Sequence, residues 1–579
     1  SSKEVVRPIV FGMGIILIVF FPILTLGGIE GKLFRPMAWT FIFAMVGALL
    51  IAVTVSPILS YHFLPKRTPK KEPFIERYLK TGYARLLSKV LHMKKVFLGF
   101  VVILLPLTAI VAFRLGGEFV PKLSEGAIVI NTIRLAGVSI DESVDYNLRI
   151  EKVLLDNFPD EIKHIWSRIG TAEVATDPMG IELSDIFISL NERNTWKKAT
   201  TQAALIKQME ETIDDLPGLN MIFTQPIEMR MNEMVSGIRS DVGIKIFGDD
   251  FDQLVQLSEQ AQKILSTIDG ASEISGEQVS GQPVLQIVVN RNQIARYGIP
   301  IQNVLDVVEA VGYRPIGDVF EGQRRFPLVV RLPDQQRRDI SALSNTLIPT
   351  VSGTILPLHQ MADIRETEGP STINREWGRR LIRVQCNVRG RDTVSFVEEA
   401  QARIVSELTL PEGYVIDWGG QFKNLEQSTL RFMIVVPITL ALIFFLLYLS
   451  LKNLRDVLII YTGIPFAVVG GVFSLWMRGI PFSVSAAVGF IALSGIAVLN
   501  GQVLVATIKT CLEDGLHVGE AVVQAATIRL RPVLATAITD AVGFIPMAVS
   551  TGVGAEVQRP LATVVIGGVV TSTMLTLFV

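Results

Sequence analysis

One acidic side chain, Asp540, lies within an apolar segment that is long enough to cross a membrane. An ionisable group at that depth is energetically costly, so it is a candidate for reversible protonation. The competing interpretation is a structural carboxyl that is hydrogen-bonded to Thr536 or Thr539 on the same segment. The sequence therefore predicts a proton pathway that includes Asp540, with Thr536 beside it.

Residue types that carry enzyme chemistry are sparse in this chain. The five histidines lie far apart, and the two cysteines, Cys386 and Cys511, cannot form a disulfide framework. No phosphate-binding loop, GxSxG or HExxH string occurs. We therefore expect no enzyme activity, no ATP hydrolysis and no cofactor.

The composition is that of a membrane protein. Of the 579 residues, 49% are hydrophobic and 19% are charged, whereas soluble domains average about 25% charged residues. The net charge of −1 gives no reason to expect nucleic acid as a partner. Eight segments are long and apolar enough to span a bilayer, which makes the lipid bilayer the first expected partner. They are residues 8–27, 37–60, 95–115, 431–450, 457–477, 482–508, 530–549 and 559–579.

The loop after the second span predicts the orientation. Between Lys66 and Lys95 it carries ten Lys and Arg residues against two Glu residues, so this side should face the cytoplasm. The long insert 116–430 then faces outward, and both chain ends face the cytoplasm. Several apolar residues give the loop one apolar face, which predicts a helix lying on the membrane surface, with a solvated linker as the alternative. They are Phe74, Tyr78, Leu79, Leu86, Val90 and Leu91.

An internal repeat links the two ends of the chain. Arg-Pro pairs at 7–8 and 35–36, with Pro22 between them, recur at 531–532 and 559–560 with Pro546, always at an offset of 524 residues. The repeat is parallel, because both hairpins run out and back in the same direction. We therefore expect the chain to hold the end of one half and nearly all of a second half. The intact protein would have about 12 spans and roughly 1,000 residues or more.

The outer insert alternates between period-two and helical patterns. Two β-α-β-β-α-β units of the split βαβ type fit these patterns, and a third subdomain at 281–368 would be inserted into the second unit. The first unit comprises segments 128–134, 140–157, 162–169, 186–190, 201–213 and 219–224. The second comprises 242–247, 251–268, 381–388, 394–408 and 414–418, and the inserted subdomain has strands 284–289 and 326–332 with helix 301–311. A cleft between two such units is a common place for a ligand.

Long strings throughout the chain resemble the resistance-nodulation-division exporters, in their heavy-metal branch of the cobalt–zinc–cadmium type. The strings that carry this resemblance are GIEGKLFRPMA (28–38), GGEFVPKLSEG (116–126), QPIEMRMNEMVSGIRSDV (225–242), VRGRDTVSF (388–396), WGGQF (418–422), VGFIALSGIAVLNG (488–501) and AEVQRPLATVVIGG (555–568).

The resemblance implies a proton-driven exporter of divalent heavy-metal cations (zinc, cobalt, cadmium or nickel) in the bacterial inner membrane. It further implies a homotrimer that works with a periplasmic adaptor (membrane fusion) protein and an outer-membrane channel protein. The expected fold is an α-helical polytopic membrane protein with a large α+β periplasmic insert. The expected division is the last two spans of the first half (1–63), a cytoplasmic basic interfacial helix and linker (64–94), the first span of the second half (95–115), pore subdomain 1 (116–240), pore subdomain 2 (241–280 and 369–427), a docking subdomain (281–368) and five C-terminal spans (428–579).

In the copper and silver branch of this family, three cleft methionines hold the monovalent ion. The aligned positions here are Asn131, Leu183 and Glu233, so none is methionine. Carboxylates suit harder divalent ions, which argues against copper and silver. Three nearby methionines keep a sulfur site open as an alternative, although methionines also fill apolar gaps. They are Met229, Met231 and Met234.

The resulting oxygen-ligand candidates are Glu233, Glu182, Asp185 and Asp241, with Asn131. For each of these acids the alternative is a solvated surface group. Glu182 and Asp185 are three residues apart, so in a strand they would point to opposite faces and could not share one ion unless a turn intervenes.

In the family, the main relay acids lie on the fourth span, which the repeat offset places upstream of Ser1. The multidrug branch has a relay lysine on the tenth span, where this chain has Leu499. This departure favours the metal branch and leaves Asn500 and Gln502 as polar supports of the proton pathway.

Other functions remain open from the sequence. A multidrug exporter of the same superfamily would need an aromatic-lined cleft in place of carboxylates. A membrane receptor or translocation accessory with the same fold would bind no ion, and Asp540 would then be incidental. A non-functional remnant is the last alternative.

Overall fold

The computed structural model describes residues 2–63, 74–119, 121, 124–171, 179–213, 216, 220–552 and 554–578. Ten residues of the predicted cytoplasmic loop, 64–73, lie outside these ranges, as does Leu219 at the start of a predicted strand.

The helices are long in the N- and C-terminal thirds of the chain and short between them. In chain order they are α1 (Ser2–Leu24), α2 (Gly28–Val53), α3 (Val55–Phe63), α4 (Phe74–His92), α5 (Lys94–Phe113), α6 (Ile140–Asn157), α7 (Gln202–Ile213), α8 (Pro226–Ser236), α9 (Phe251–Ser266), α10 (Arg291–Arg296), α11 (Ile301–Gly312), α12 (Asp334–Arg338), α13 (Ile340–Ser344), α14 (Thr393–Glu407), α15 (Gln421–Leu451), α16 (Leu454–Tyr461), α17 (Gly463–Met477), α18 (Val484–Glu513), α19 (Val518–Val549) and α20 (Ala555–Phe578).

All strands of the described residues lie between α5 and α15. They are β1 (Ala127–Ile133), β2 (Ile162–Ile169), β3 (Leu183–Leu190), β4 (Asn220–Thr224), β5 (Val242–Phe247), β6 (Ala271–Gly276), β7 (Gln282–Val289), β8 (Arg314–Glu321), β9 (Arg324–Val330), β10 (Leu347–Pro349), β11 (Ile355–Pro357), β12 (Ala362–Gly369), β13 (Asn374–Glu376), β14 (Arg379–Val388) and β15 (Val415–Gly420).

Seven helical segments of the described chain are long and apolar enough to cross a membrane, which confirms the polytopic helical class. The first predicted span corresponds to α1, whose apolar part Val10–Leu24 is shorter than the others. The span predicted at 530–549 is part of the longer helix α19, because its helical pattern continues toward the N-terminus to Val518.

The membrane helices pack around α17, α18 and α20, and glycines set their closest approach. A Cβ atom on Gly470 of α17 would lie 2.2 Å from the carbonyl oxygen of Gly567 on α20, and one on Gly567 would lie 2.5 Å from that of Gly470. No larger side chain fits between these backbones. The two helices therefore cross in direct backbone contact.

The first unit of the outer insert is a four-stranded sheet in the order β2-β3-β1-β4. This is the order of a split βαβ sandwich, as predicted. Helices α6 and α7 cover one face, where Ile130 and Ile186 are fully buried. The opposite face carries Asn131 and Asp185, which pair directly across β1 and β3.

The second unit has the strand order β15-β5-β14, with β6 and β13 both pairing with β14. It is the second predicted split βαβ unit. The sequence did not predict β6, because ASEISG is polar. Within this strand Glu273 has a positive φ of 54°. Helices α9 and α14 bury Leu257 and Phe396 against this sheet.

The inserted segment 281–368 forms its own small core around Val304, Ile348 and Met361. Strand β7 pairs with β12, and β8 pairs with β9 in a hairpin. Strand β9 was predicted at 326–332; in the structure it begins two residues earlier, at Arg324, and ends at Val330.

The basic loop contains the predicted helix, α4, and this helix packs on the membrane bundle. Tyr83 and Leu87 are buried against α19 and α20, and the Tyr83 hydroxyl donates a hydrogen bond to the Leu577 carbonyl. Tyr78 and Leu79, on the predicted apolar face, remain exposed. Contact of that face with the membrane surface stays a prediction.

Candidate functional site

Two strands and one helix bring most of the predicted oxygen ligands together. Asn131 on β1 and Asp185 on β3 face away from α6, because the alternate residues Thr132 and Ser184 hydrogen-bond with Arg134 on the α6 side. On the other side of the sheet lies α8, which carries Glu233.

Helix α8 begins with Pro226 at its first position and ends at Gly237, whose φ of 68° is left-handed. Both are typical helix-boundary residues. No pattern in the sequence predicted this helix. Its fully buried Met229 accepts a hydrogen bond from the Asn131 amide nitrogen at 3.1 Å, so the helix lies directly against β1.

Asp185 is completely buried and is surrounded by donors. Its Oδ1 accepts hydrogen bonds from Asn131 Nδ2 at 2.6 Å and from Arg239 Nη1 at 3.2 Å. Its Oδ2 accepts one from Arg168 Nη2. Asn131 thus offers Asp185 its amide NH2, while its own oxygen accepts from the Thr224 hydroxyl at 3.3 Å. In this arrangement Asn131 positions Asp185.

Glu233 is also paired with arginines. Its Oε2 accepts a hydrogen bond from Arg230 Nη1 at 2.7 Å, one helical turn away. Its Oε1 accepts from Nε and Nη2 of Arg239, at 3.3 and 3.2 Å. The Arg239 guanidinium therefore joins Glu233 to Asp185. We call Asn131, Asp185, Glu233 and these three arginines, Arg168, Arg230 and Arg239, the cleft cluster.

The cleft cluster contains two carboxylates and three guanidinium groups, so its formal charge is positive. Among the described residues, no group of three or more His, Cys, Asp or Glu side chains is arranged to hold a metal ion. The sequence did not predict that these arginines take part in the site. Only the Arg230–Glu233 pair has a sequence signal, the i, i+3 spacing on a helix.

Glu182 and Asp241 have contacts outside the cleft cluster. Glu182 is in a turn just before β3, and its carboxyl group folds over Gly180, which has no Cβ to collide with it. Burial of Arg134 lowers the pKa of its guanidinium group, and the negative charge of Glu182 partly opposes this shift. Asp241 Oδ2 accepts a hydrogen bond from the backbone N–H of Val388 at 3.2 Å, which ties it to β14.

A cavity of about 240 Å³ adjoins the cleft cluster. Arg239 lines it, as do Asp241 and Glu228, and of the seventeen described residues that line it one, Phe223, is aromatic. Burial lowers the pKa of Arg389, another lining residue, but nearby carboxylates raise it overall. The cavity is thus lined by charged groups of both signs.

The three methionines of the sequence alternative point in different directions. Met229 is fully buried against Asn131, whereas 77% of Met234 is exposed. Met231 is half-buried. Their sulfurs therefore form no common site in this arrangement.

The membrane residues are arranged differently. Asp540 is half-buried on α19, and no described residue hydrogen-bonds to its carboxyl group. The hydroxyl groups of Thr536 and Thr539 donate to the carbonyls of Val533 and Ala535 on their own helix. The described structure thus gives no support to the threonine-bonded alternative for Asp540.

Asn500 and Gln502 are buried on α18. Gln502 donates a hydrogen bond to the Ser450 hydroxyl of α15 at 2.8 Å, and its own carbonyl oxygen has no partner among the described residues. No hydrogen bond within the described chain joins either residue to Asp540.

Comparison with known proteins gives consistent results. The sequence matches the AcrB/AcrD/AcrF family over residues 1–579. It is 45% identical to the cobalt-zinc-cadmium resistance protein CzcA of Cupriavidus metallidurans over 586 residues, which cover 100% of this chain and 55% of that protein. It is 42% identical to the nickel-cobalt-cadmium resistance protein NccA of Alcaligenes xylosoxydans xylosoxydans, covering 100% of this chain and 54% of the relative.

The fold also matches a crystal structure of a heavy metal efflux pump, with a TM-score of 0.89 and 34% identity over 100% of this chain and 57% of that one. The chain thus spans about half the length of the relatives it matches.

Proposed function

The chain belongs to the AcrB/AcrD/AcrF family, in the heavy-metal branch of the resistance-nodulation-division exporters, and we propose that it serves proton-driven efflux of divalent heavy-metal cations. It is a multi-pass membrane protein. The proposed cargo is zinc, cobalt, cadmium or nickel, and because the ion is the transported substrate the proposal needs no cofactor.

One observation carries the proposal for the cargo. Asp185 and Glu233 come from different elements, yet each has one oxygen within 3.3 Å of a nitrogen of the Arg239 guanidinium. Two carboxylate oxygens that converge on one cationic group can also converge on a metal ion of the harder, divalent kind. We propose these two acids as ligands, Asn131 as the residue that positions Asp185, and Glu182 and Asp241 as flanking acids.

For energy coupling, we propose that Asp540 exchanges protons, with Thr536, Asn500 and Gln502 as polar neighbours on the pathway. One proton moving down a potential of 100 mV releases about 2.3 kcal/mol, so a few protons suffice for modest uphill export. Assembly as a homotrimer in the bacterial inner membrane, with a periplasmic adaptor and an outer-membrane channel protein, is part of the same proposal.

A multidrug exporter is less well supported by the same geometry. A site for large apolar compounds is lined mainly by hydrophobic and aromatic side chains. The cavity beside the cleft cluster is instead lined by charged residues such as Glu228, Asp241 and Arg389.

The test is metal tolerance in a sensitive bacterial host that expresses the longer protein predicted by the internal repeat. Growth would be measured in zinc, cobalt, cadmium and nickel salts. We expect Glu233→Ala and Asp540→Asn each to lower the tolerated concentration severalfold, at equal protein abundance in the membrane. Arg365→Gln, which changes an exposed residue bonded to Gln286, is the matched control. Unchanged tolerance in both acid variants would contradict the proposal.

A further inference from the structure

Arg239 lies on the short connection between the two sheet units. This connection runs from Gly237, where α8 ends, to Asp241, just before β5 begins. The backbone there is fixed on both sides: the Gly237 N–H donates to the Glu233 carbonyl at 2.8 Å, and the Asp241 N–H donates to Asn387 Oδ1 at 3.1 Å. A change at the Arg239 side chain therefore acts on a segment that joins the two units.

Each edge of the Arg239 guanidinium binds a different acid. Nη1 binds Asp185, whereas Nε and Nη2 together bind Glu233. The Arg239 side chain is largely buried, with 16% of it exposed, and the Asp185 side chain is fully buried. A divalent cation held between the same two carboxylate oxygens would occupy the place of the guanidinium group.

Charge makes simultaneous binding unfavourable. The cleft cluster already holds three arginines against two carboxylates, so a divalent ion added to it would meet positive charge at close range in a partly buried site. Losing Arg239 from the cluster would leave Arg168 and Arg230 balanced by Asp185 and Glu233. Exchange of one cation for another is electrostatically easier than addition.

Of the three arginines of the cleft cluster, Arg239 is the one that lines the neighbouring cavity. Arg168 lies directly opposite Asp185 in the β2–β3 register, and Arg230 lies on the same helix as Glu233. Both are fixed beside their partners by secondary structure. Arg239, by contrast, lies on a connection and lines the 240 Å³ cavity, together with the acids Asp241 and Glu228.

We infer that Arg239 is an internal competitor of the cargo: its guanidinium holds Asp185 and Glu233 together without an ion and moves away when a divalent cation binds between them. The inference rests on the proposed function and adds a regulatory element to the same site. The side chain would move toward the cavity, whose other charged lining residues are three acids and three arginines: Glu228, Asp241, Glu556, Arg193, Arg389 and Arg559. Cation binding would then release a contact at the connection between the two units.

The first experiment measures Co²⁺ binding to the purified 579-residue chain in detergent by isothermal titration calorimetry. Arg239→Gln removes the competing charge, so we expect Co²⁺ to bind at least tenfold more tightly than in the parent chain. Arg239→Lys, whose ammonium cannot bridge both acids, should fall between the two. Arg365→Gln removes a distant positive charge and should bind Co²⁺ as the parent does. Thermal unfolding of each variant checks that the fold is retained.

The second experiment follows the side chain itself. Phenylglyoxal modifies accessible guanidinium groups, and mass spectrometry of the peptide that contains Arg239 gives the rate. We expect saturating Co²⁺ to accelerate modification of Arg239 severalfold and to leave that of Arg365 unchanged. A rate that is unaffected or slowed by Co²⁺ would overturn the inference.

Different results would contradict the proposed metal ligands and the proposed competitor role of Arg239. If Asp185→Asn abolishes Co²⁺ binding but Arg239→Gln leaves the affinity unchanged or weaker, the metal site stands and the competitor role is wrong. If Asp185→Asn binds Co²⁺ as the parent does, or the parent binds none, the proposed ligands are wrong and the inference falls with them.

Discussion

The carboxyl groups of Asp185 in the cleft cluster and of Asp540 on helix α19 differ in how many hydrogen-bond donors surround them. Asp185 is fully buried, and two arginines and an amide donate to it. Asp540 is half-buried in a membrane helix, and no described residue hydrogen-bonds to its carboxyl group. A carboxylate that is paired with guanidinium groups can exchange them for another cation. A carboxyl group in a membrane helix that lacks such partners can instead take up a proton. This difference matches the roles proposed for them, a cation ligand for Asp185 and a proton carrier for Asp540.

The largest expected effect on stability is that of a substitution at Asp185, the acid that the arginines surround. Asp185→Asn removes the buried carboxylate that Arg168 and Arg239 both bind, so we expect the free energy of unfolding to fall by about 3 kcal/mol. Chemical denaturation in detergent, followed by circular dichroism, would measure it. A change below about 1 kcal/mol would mean that the arginines find other partners and that the pairing is not structural.

An acid between these two extremes gives a smaller effect. Asp392 accepts a hydrogen bond from the backbone N–H of Ser395 at the start of α14, and another from that of Gly117 at 3.2 Å. Asp392→Ala should reduce the free energy of unfolding by about 1 kcal/mol at pH 7, the usual contribution of such a cap.

The pH dependence of this effect has a defined sign. Burial raises the pKa of Asp392, but the hydrogen bonds from Ser395 and Gly117 lower it overall, below its ordinary value. The stabilisation is therefore complete above the pKa of the unfolded chain, about 4, and is lost as the pH falls through the folded value. The difference between parent and variant should shrink in denaturation series below about pH 4. A difference that persists unchanged at pH 2 would contradict this assignment.

The smallest expected effect on stability is that of a substitution at Asp540. Because Asp540 has no hydrogen-bond partner among the described residues, Asp540→Asn should change the free energy of unfolding by less than about 0.5 kcal/mol. Affinity for Co²⁺ should also be unchanged, since the cleft cluster is untouched. A loss of several kcal/mol would show instead that Asp540 is a structural acid, and the comparison would fail.

The sequence predicted regular elements better than the site. Strand β2 and helix α6 have the predicted bounds, because alternation of apolar residues and an 18-residue amphipathic pattern are local properties. Helix α8 was missed since its short, methionine-rich pattern follows Gln225-Pro226 and shows little contrast between faces.

The pairing of charges in the cleft cluster could not be predicted for a different reason. Arg168 and Asp185 are brought together by strand register, and Arg239 reaches both Asp185 and Glu233 through the connection after α8. Such contacts depend on tertiary placement and not on spacing. The resemblance selected the acids, but only the fold shows that arginines hold them.

The glycine crossing of α17 and α20 limits how the membrane part can move. A slip of one helical turn, about 5.4 Å, would bring Phe466 to the place of Gly470 opposite Gly567, where a larger residue does not fit. Thr571 also donates a hydrogen bond to the Phe466 carbonyl at 3.1 Å across this crossing. Helices α17 and α20 should therefore move together as one rigid unit. If the proposed transport takes place, displacements that open a path for ions would then occur around this helix pair, along helix α19, which bears Asp540 and is less buried in the bundle.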